Sequence, residues 1–263
     1  VSPPAPRRLG RAAREPKLPN EREWERSPVL EPRPAPRRPE LVSDGGGLPF
    51  SPLALQGPPG PLDPEDPAVS ALAAHLATRS GAKRRFRAPW KRGATPRPPT
   101  ADLDGWRLLA RTDGEALFAR GRPPQLLTVA VRQEGRRRSW VYAGSSAARP
   151  LRAARDGIRA SSWRVDPTQE PGPNETVLRV LVSEQTFASG QRADGRVLAP
   201  DLYADGDELV ITIFVTPRPG YQAGSRNPET PVRIALPQAL GRRRLIDGAL
   251  AQLSLPGAVP QPD

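Results

Sequence analysis

The chain of 263 residues has no cysteine, no methionine and a single histidine. Without thiols, disulfides, thiolate zinc sites, iron–sulfur clusters and cysteine nucleophiles are excluded. One imidazole, His75, cannot build a multi-histidine metal site. A catalytic triad needs that ring held against a hydroxyl and a carboxylate, and nothing around His75 in sequence anchors it so. It reads as an exposed helix residue. No segment approaches the ~20 apolar residues that cross a bilayer, and no short apolar run follows a basic start as in a signal peptide. With valine first and no methionine, the chain either begins at an alternative start codon or lacks an upstream segment. As written it reads as cytoplasmic; an upstream leader would make it extracytoplasmic. Gly45-Gly46-Gly47 lacks the lysine spacing of a phosphate loop and reads as linker.

Proline and arginine are abundant and unevenly spread. The first 100 residues hold 21 of the 36 prolines, and 18 Lys/Arg against 10 Asp/Glu, so most of the net +12 lies there. Proline fixes φ and removes a backbone donor, which opposes regular structure. Residues 1–62 lack hydrophobic periodicity and are expected to be a disordered Pro/Arg-rich arm. Pro32, Pro34, Pro36 and Pro39 suit polyproline II. One short helix interrupts the arm at about 67–80. Asp66 is its N-cap, Pro67 its first residue, and Val69, Leu72, Ala73 and Leu76 follow at helical spacing, with Gly81 as a stop. A basic linker at 83–97 closes the arm, and residues 251–263 form a flexible tail.

Between about 101 and 250 the pattern changes to short apolar runs broken by Asp113-Gly114, Glu134-Gly135, Asp156-Gly157, Asp194-Gly195, Gly206-Asp207 and Asp247-Gly248. Alternation predicts strands near 106–111, 115–120, 126–132, 138–143, 150–154, 160–165, 176–183, 195–198, 208–216, 231–236 and 243–246. The fold class is all-β, an antiparallel β-sandwich or compact β-barrel. Its core should draw on Trp106, Leu108, Phe118, Val129, Val131, Trp140, Trp163, Val180, Ile211, Ile213, Ile234 and Leu236.

Two basic groups are candidate sites. Lys83, Arg84, Arg85, Phe86, Arg87, Trp90, Lys91 and Arg92 combine cations for phosphates with two rings that can stack on bases. Arg136, Arg137 and Arg138, with Arg242, Arg243 and Arg244, form two triplets beside strands that can meet as an anion patch or guard sheet edges. Asp201, Asp205, Asp207 and Glu208 cluster in and just before LYADGDEL. Oxygen-rich loops suit calcium, but Asp-Gly-Asp between apolar runs is ordinary turn chemistry, and that reading prevails. No cofactor is implied.

Three stretches, ARDGIRASSWRVDP at 154–167, SEQTFASGQRADGRVLAPDL at 183–202 and RNPETPVRIALPQALGRRRLIDG at 226–248, resemble a group of uncharacterised actinobacterial proteins, many of them predicted lipoproteins or secreted proteins. The resemblance covers roughly 104–250 and none of the arm. It implies a β-rich fold and an extracytoplasmic setting, and no activity. Members carry cysteines where this chain has Phe187 and, approximately, Gly224. Such a cross-link contributes about 2–5 kcal/mol in a small secreted domain, part of which a buried Phe187 ring would recover. Its loss fits a reducing compartment or a diverged copy.

Taken together, the sequence points to a non-enzymatic binding module with a protein partner and a basic arm. The alternatives are electrostatic association with nucleic acid or another polyanion through 83–97, and a carboxylate-dependent hydrolase.

Overall fold

The computed structural model describes residues 18–45, 47–85, 102–147, 149–224 and 227–250, with the side chains of 80–85 left out. It is mostly β, built from a small antiparallel sheet and a larger curled one. No helix among the described residues is long and apolar enough to cross a membrane.

The small sheet is a meander of β4 (Trp106–Arg111), β5 (Glu115–Arg120), β6 (Leu127–Glu134) and β7 (Ser139–Ala147). Both of its faces are covered, so Ala116, Leu117, Phe118 and Ala119 of β5 are all buried. One face, with Trp106, Phe118, Val129 and Val131, receives Ala68, Val69 and Leu72 of helix α2 (Pro67–Arg85). The other, with Leu109, Leu117 and Ala130, receives Val42, Phe50, Leu55 and Leu151. Asp66 caps α2 as expected, its carboxylate accepting from the Ala68 amide at 2.8 Å while also pairing with Arg111. The helix runs past Gly81 to Arg85. Glycine inside a helix costs only about 1 kcal/mol, and basic residues suit a helix C-terminus.

Leu108 was expected inside but is 40% exposed. A bulge is the reason. Leu108 pairs with Phe118 and Ala110 with Leu117, leaving Leu109 as the extra residue. An extra residue breaks the two-residue alternation, and Leu109 takes the buried place. Trp140 and Trp163 are half-buried, while the other expected core residues are buried.

The larger sheet wraps an interior of Leu178, Val180, Val182, Leu209, Ile211, Ile213, Val232 and Ile234. Its central run is β13 (Thr230–Ala235), β10 (Val177–Ser183), β9 (Ile158–Val165), β12 (Glu208–Phe214) and β11 (Asp201–Asp205), each antiparallel to the next. β14 (Arg244–Asp247) runs parallel to β12, and β8 (Arg152–Arg155) pairs with both β9 and β3 (Leu41–Ser43). β11 replaces the expected strand at 195–198, where only an isolated Val197–Val215 bridge forms.

Residues 18–45 and 47–62 are not the structureless arm that their composition suggested. Helix α1 (Glu21–Arg26) carries a capping box between Asn20 and Glu23 and buries Trp24. The following stretch lies along both edges of the curled sheet. β1 (Val29–Leu30) runs parallel to β13, and three residues later β2 (Arg33–Pro34) runs parallel to β11. The Arg233 amide donates to the Pro28 carbonyl, and those of Arg33 and Ala35 donate to Pro200 and Leu202. One extended segment thus closes the sheet on itself as a split stave, with Leu30 packing on the interior. Proline is tolerated there because a strand that pairs on one side at a time needs few of its own donors. Neither two-residue strand has any periodicity to read, which is why composition misleads. Residues 1–17 and 251–263, expected to be disordered arm and flexible tail, lie outside the described residues.

Candidate functional site

The two longest connections of the curled sheet meet beside the stave. The first, 184–200, joins β10 to β11; the second, 215–229, joins β12 to β13. Loops of this length with no secondary structure of their own are usually functional. Here they are held by internal polar bonds. Glu184, whose side chain is buried, takes a two-pronged ion pair from Arg196 at 2.6 and 2.7 Å. The pairing hydrogen bond raises the Arg196 pKa further above its ordinary value. Arg196 also donates to the Thr216 carbonyl at 2.7 Å, which ties one connection to the other. Asn227 accepts from the Ala188 amide and donates to the Thr186 carbonyl. Ser189, in the left-handed region at φ 53°, donates to Gln222 at 3.0 Å and accepts from the Ala223 amide.

This frame holds two aromatic rings in solvent. Tyr221 is 95% exposed and Phe187 62% exposed. Burial of the Phe187 ring, expected as a substitute for a cross-link, is therefore not what occurs. The ring lies against Gly224, where an added Cβ would stand 3.6 Å from its Cζ. A cavity of about 500 Å³ lies between the stave, the second half of the first connection and β13. Pro28, Leu30, Ala193, Val197, Pro231 and Val232 line it, and Glu23, Arg26, Arg192 and Asp194 stand at its rim. Glu23 and Arg192 pair at 3.1 Å across the mouth, and the Ala193 amide donates to Thr230 at 2.7 Å. The arrangement suits an apolar side chain flanked by polar groups; the mouths of β-barrels are recurrent ligand sites.

The residues singled out by sequence lie elsewhere. Arg136, Arg137 and Arg138 occupy the turn between β6 and β7, with Arg138 at φ 49° and donating to Gln133 at 2.8 Å. Arg242, Arg243 and Arg244 lie on the other sheet, just before and at the start of β14. Arg243 donates to the carbonyls of Leu240 and Ala239, and Arg244 pairs with Glu208 at 2.7 Å. The two triplets occupy turns of different sheets. Lys83, Arg84 and Arg85 end α2, whereas Phe86, Arg87, Trp90, Lys91 and Arg92 lie outside the described residues.

In LYADGDEL, Gly206 and Asp207 make the β11–β12 turn. Asp201, just before that stretch, pairs with Arg33 and Arg155, and Glu208 with Arg37 and Arg244, while Asp205 accepts from the Gly206 amide in the turn. The Arg155 guanidinium also sits 4.4 Å over the Phe214 ring. These pairs fasten the stave at its β2 end. His75, expected to be exposed, is half-buried and stacks on Tyr142 with centroids 3.9 Å apart. Burial, and then the nearby Arg79 charge, hold its pKa below the ordinary imidazole value.

Sequence reasoning missed the loop pair and Trp24. Asn20 and Glu23 at capping-box spacing mark the helix that buries Trp24. The turn-rich PRPGYQAG stretch between two strong strands marks the loop that carries Tyr221. Comparison with protein-family models, curated proteins and solved structures finds no match for this chain.

Proposed function

We propose that this chain is a non-enzymatic binding module whose protein partner sits on the loop pair at the mouth of the curled sheet. One observation carries the reading: Tyr221 and Phe187 are held in solvent by connections whose own polar groups are largely satisfied internally. Rings exposed on two connected loops offer apolar area whose burial by a partner is favourable. Tyrosine is enriched at binding hot spots because it offers large area at low entropic cost. The cavity lined by the same first connection would take an apolar side chain of the partner, beside the Glu23–Arg192 pair and Arg26.

The test is a peptide-display selection on the full chain, followed by titration of the enriched sequences. Tyr221→Ala and Phe187→Ala should each weaken binding about tenfold or more, while Arg242→Ala should leave it unchanged. Failure to enrich any common sequence, or affinity indifferent to both aromatic variants, overturns the reading.

The net charge of +12 and the continuation of α2 through Lys83, Arg84 and Arg85 support a second reading, polyanion binding through 83–97. A salt titration with single-stranded DNA tests it. Affinity should fall steeply with salt, and deletion of 83–97 should abolish the slope. Binding that is absent, or unaltered by the deletion, removes this reading.

A further inference from the structure

The longest strand among the described residues is also an open edge. β7 (Ser139–Ala147) has nine residues and is last in the meander, with no strand paired on its outer side among the described residues. Natural proteins protect such edges with charged residues, proline or short length, because a row of unpaired amides and carbonyls recruits other chains. SWVYAGSSA has none of those protections. The opposite edge of the same sheet differs: β4 is shorter and carries Arg107 and Arg111.

The charges around β7 lie at its ends. Arg136, Arg137 and Arg138 fill the turn before it, and Arg149 follows two residues after it. Arg79 of α2 stands beside His75, whose ring stacks on Tyr142 in mid-strand. The nearest carboxylate in the pairing, Glu134 opposite Ser139, is already engaged by Arg132 at 2.6 Å. The edge is therefore an uncharged strand bracketed by cations, and Arg136, Arg137 and Arg138 make no ion pair among the described residues.

We propose that β7 adds a strand from a partner: an extended segment with uncharged alternating residues in its middle and acidic residues at both ends. Backbone hydrogen bonds to the edge would supply affinity, and the flanking arginines would set specificity and register, as in other strand-addition complexes. Tyr142 pairs with Val131 and Gly144 with Ala130, so Ala143 is an extra residue that bends the strand. The bend calls for a small residue opposite it. This surface is separate from the loop pair, so either proposal can fail alone.

The probe is a fluorescein-labelled peptide of roughly eleven residues, long enough to span nine at about 3.3 Å each. It has threonine and valine alternating around a central glycine and two glutamates at each end. Titrated with the full chain at low salt, it should bind, and R136E/R137E should weaken it about tenfold or more. Methylating alternate backbone amides of the peptide, which leaves its charge intact, should abolish binding in one of the two possible phases. Hydrogen exchange should slow at β7 amides and not at β4 amides, and Tyr221→Ala should have no effect.

Absence of binding overturns the proposal. So does binding that survives methylation in both phases, which would reduce the arginines to an electrostatic patch. An oligodeoxynucleotide that binds with the same loss in R136E/R137E, where the peptide does not bind, would reassign the turn to nucleic acid. Self-association by sedimentation, lost when Val141 is changed to lysine, would assign the edge to a second copy instead.

Discussion

The two sheets solve the same burial problem by opposite routes. The meander joins neighbours in sequence by hairpins, and its two covers, α2 and the stretch containing Val42, Phe50 and Leu55, pack flat against its faces. Among the described residues no helix covers the interior of the curled sheet, which closes on itself. It closes only because residues 28–35 pair with β13 at one edge and β11 at the other. Stability of the meander is therefore a matter of face packing. That of the curled sheet also depends on one thin, proline-containing segment, anchored by Trp24 at one end and by the Arg33–Asp201 pair at the other.

The sharpest way to break this contrast is to remove each anchor in turn. Trp24→Ala and Phe118→Ala both delete a fully buried ring and should each cost about 3–5 kcal/mol in urea denaturation. They should differ in where the structure opens. Hydrogen exchange should accelerate first at β11 and β13 in Trp24→Ala, and first at β5 and β6 in Phe118→Ala. Uniform acceleration across both sheets in the two variants would mean that the regions are one cooperative unit.

The bulge in β4 gives a second contrast, inside the meander. Leu109→Ala should cost about 2–5 kcal/mol, whereas Leu108→Ala, on an exposed side chain, should stay within about 0.5 kcal/mol. Equal losses in thermal melts would contradict the register described here. Asp66→Ala removes the cap of α2 and leaves Arg111 without that carboxylate, for an expected loss of about 0.5–2 kcal/mol.

The hydrogen bond from Arg111 holds the Asp66 carboxyl below its ordinary range. Its contribution is thus complete above the unfolded value of about 4 and disappears as pH falls through the lower folded one. The difference between wild type and Asp66→Ala should narrow in acid.

His75 provides the smallest effect, with the same proton balance in a higher pH window. Burial disfavours its charged form, so the unfolded chain takes up the proton first. Stability should decline as pH drops below about 6.5, the unfolded value, toward the folded one. His75→Phe keeps a ring on Tyr142 and should flatten that decline. An unchanged slope would place the titration elsewhere.

What could be read from the sequence divides along the same line. Alternation locates nearly every strand whose partner is close in the chain, and Asp66-Pro67 locates the start of α2. The stave escapes because its partners are more than 160 residues away and its own residues carry no period. β11 escapes for a related reason: Asp201 and Asp205 make it look like a solvated turn, when Asp201 is in fact held by Arg33 and Arg155. Of the candidate residues, the arginine triplets were visible as composition, but their separation onto different sheets is a property of topology. The exposed rings at 187 and 221 were not visible as a pair at all, since only the fold brings the two connections together.

The split stave also dictates an order of events during synthesis. Val29 and Leu30 leave the ribosome roughly 200 residues ahead of Arg233 and Ile234, the strand they flank. At about 5–20 residues per second that interval is some 10–40 s. Throughout it the apolar lining of the later strands lacks its closing wall, and β1 must stay unpaired until β13 arrives. A stretch rich in proline is well suited to that wait, because with few amides to offer it makes a poor template for any strand that emerges too soon.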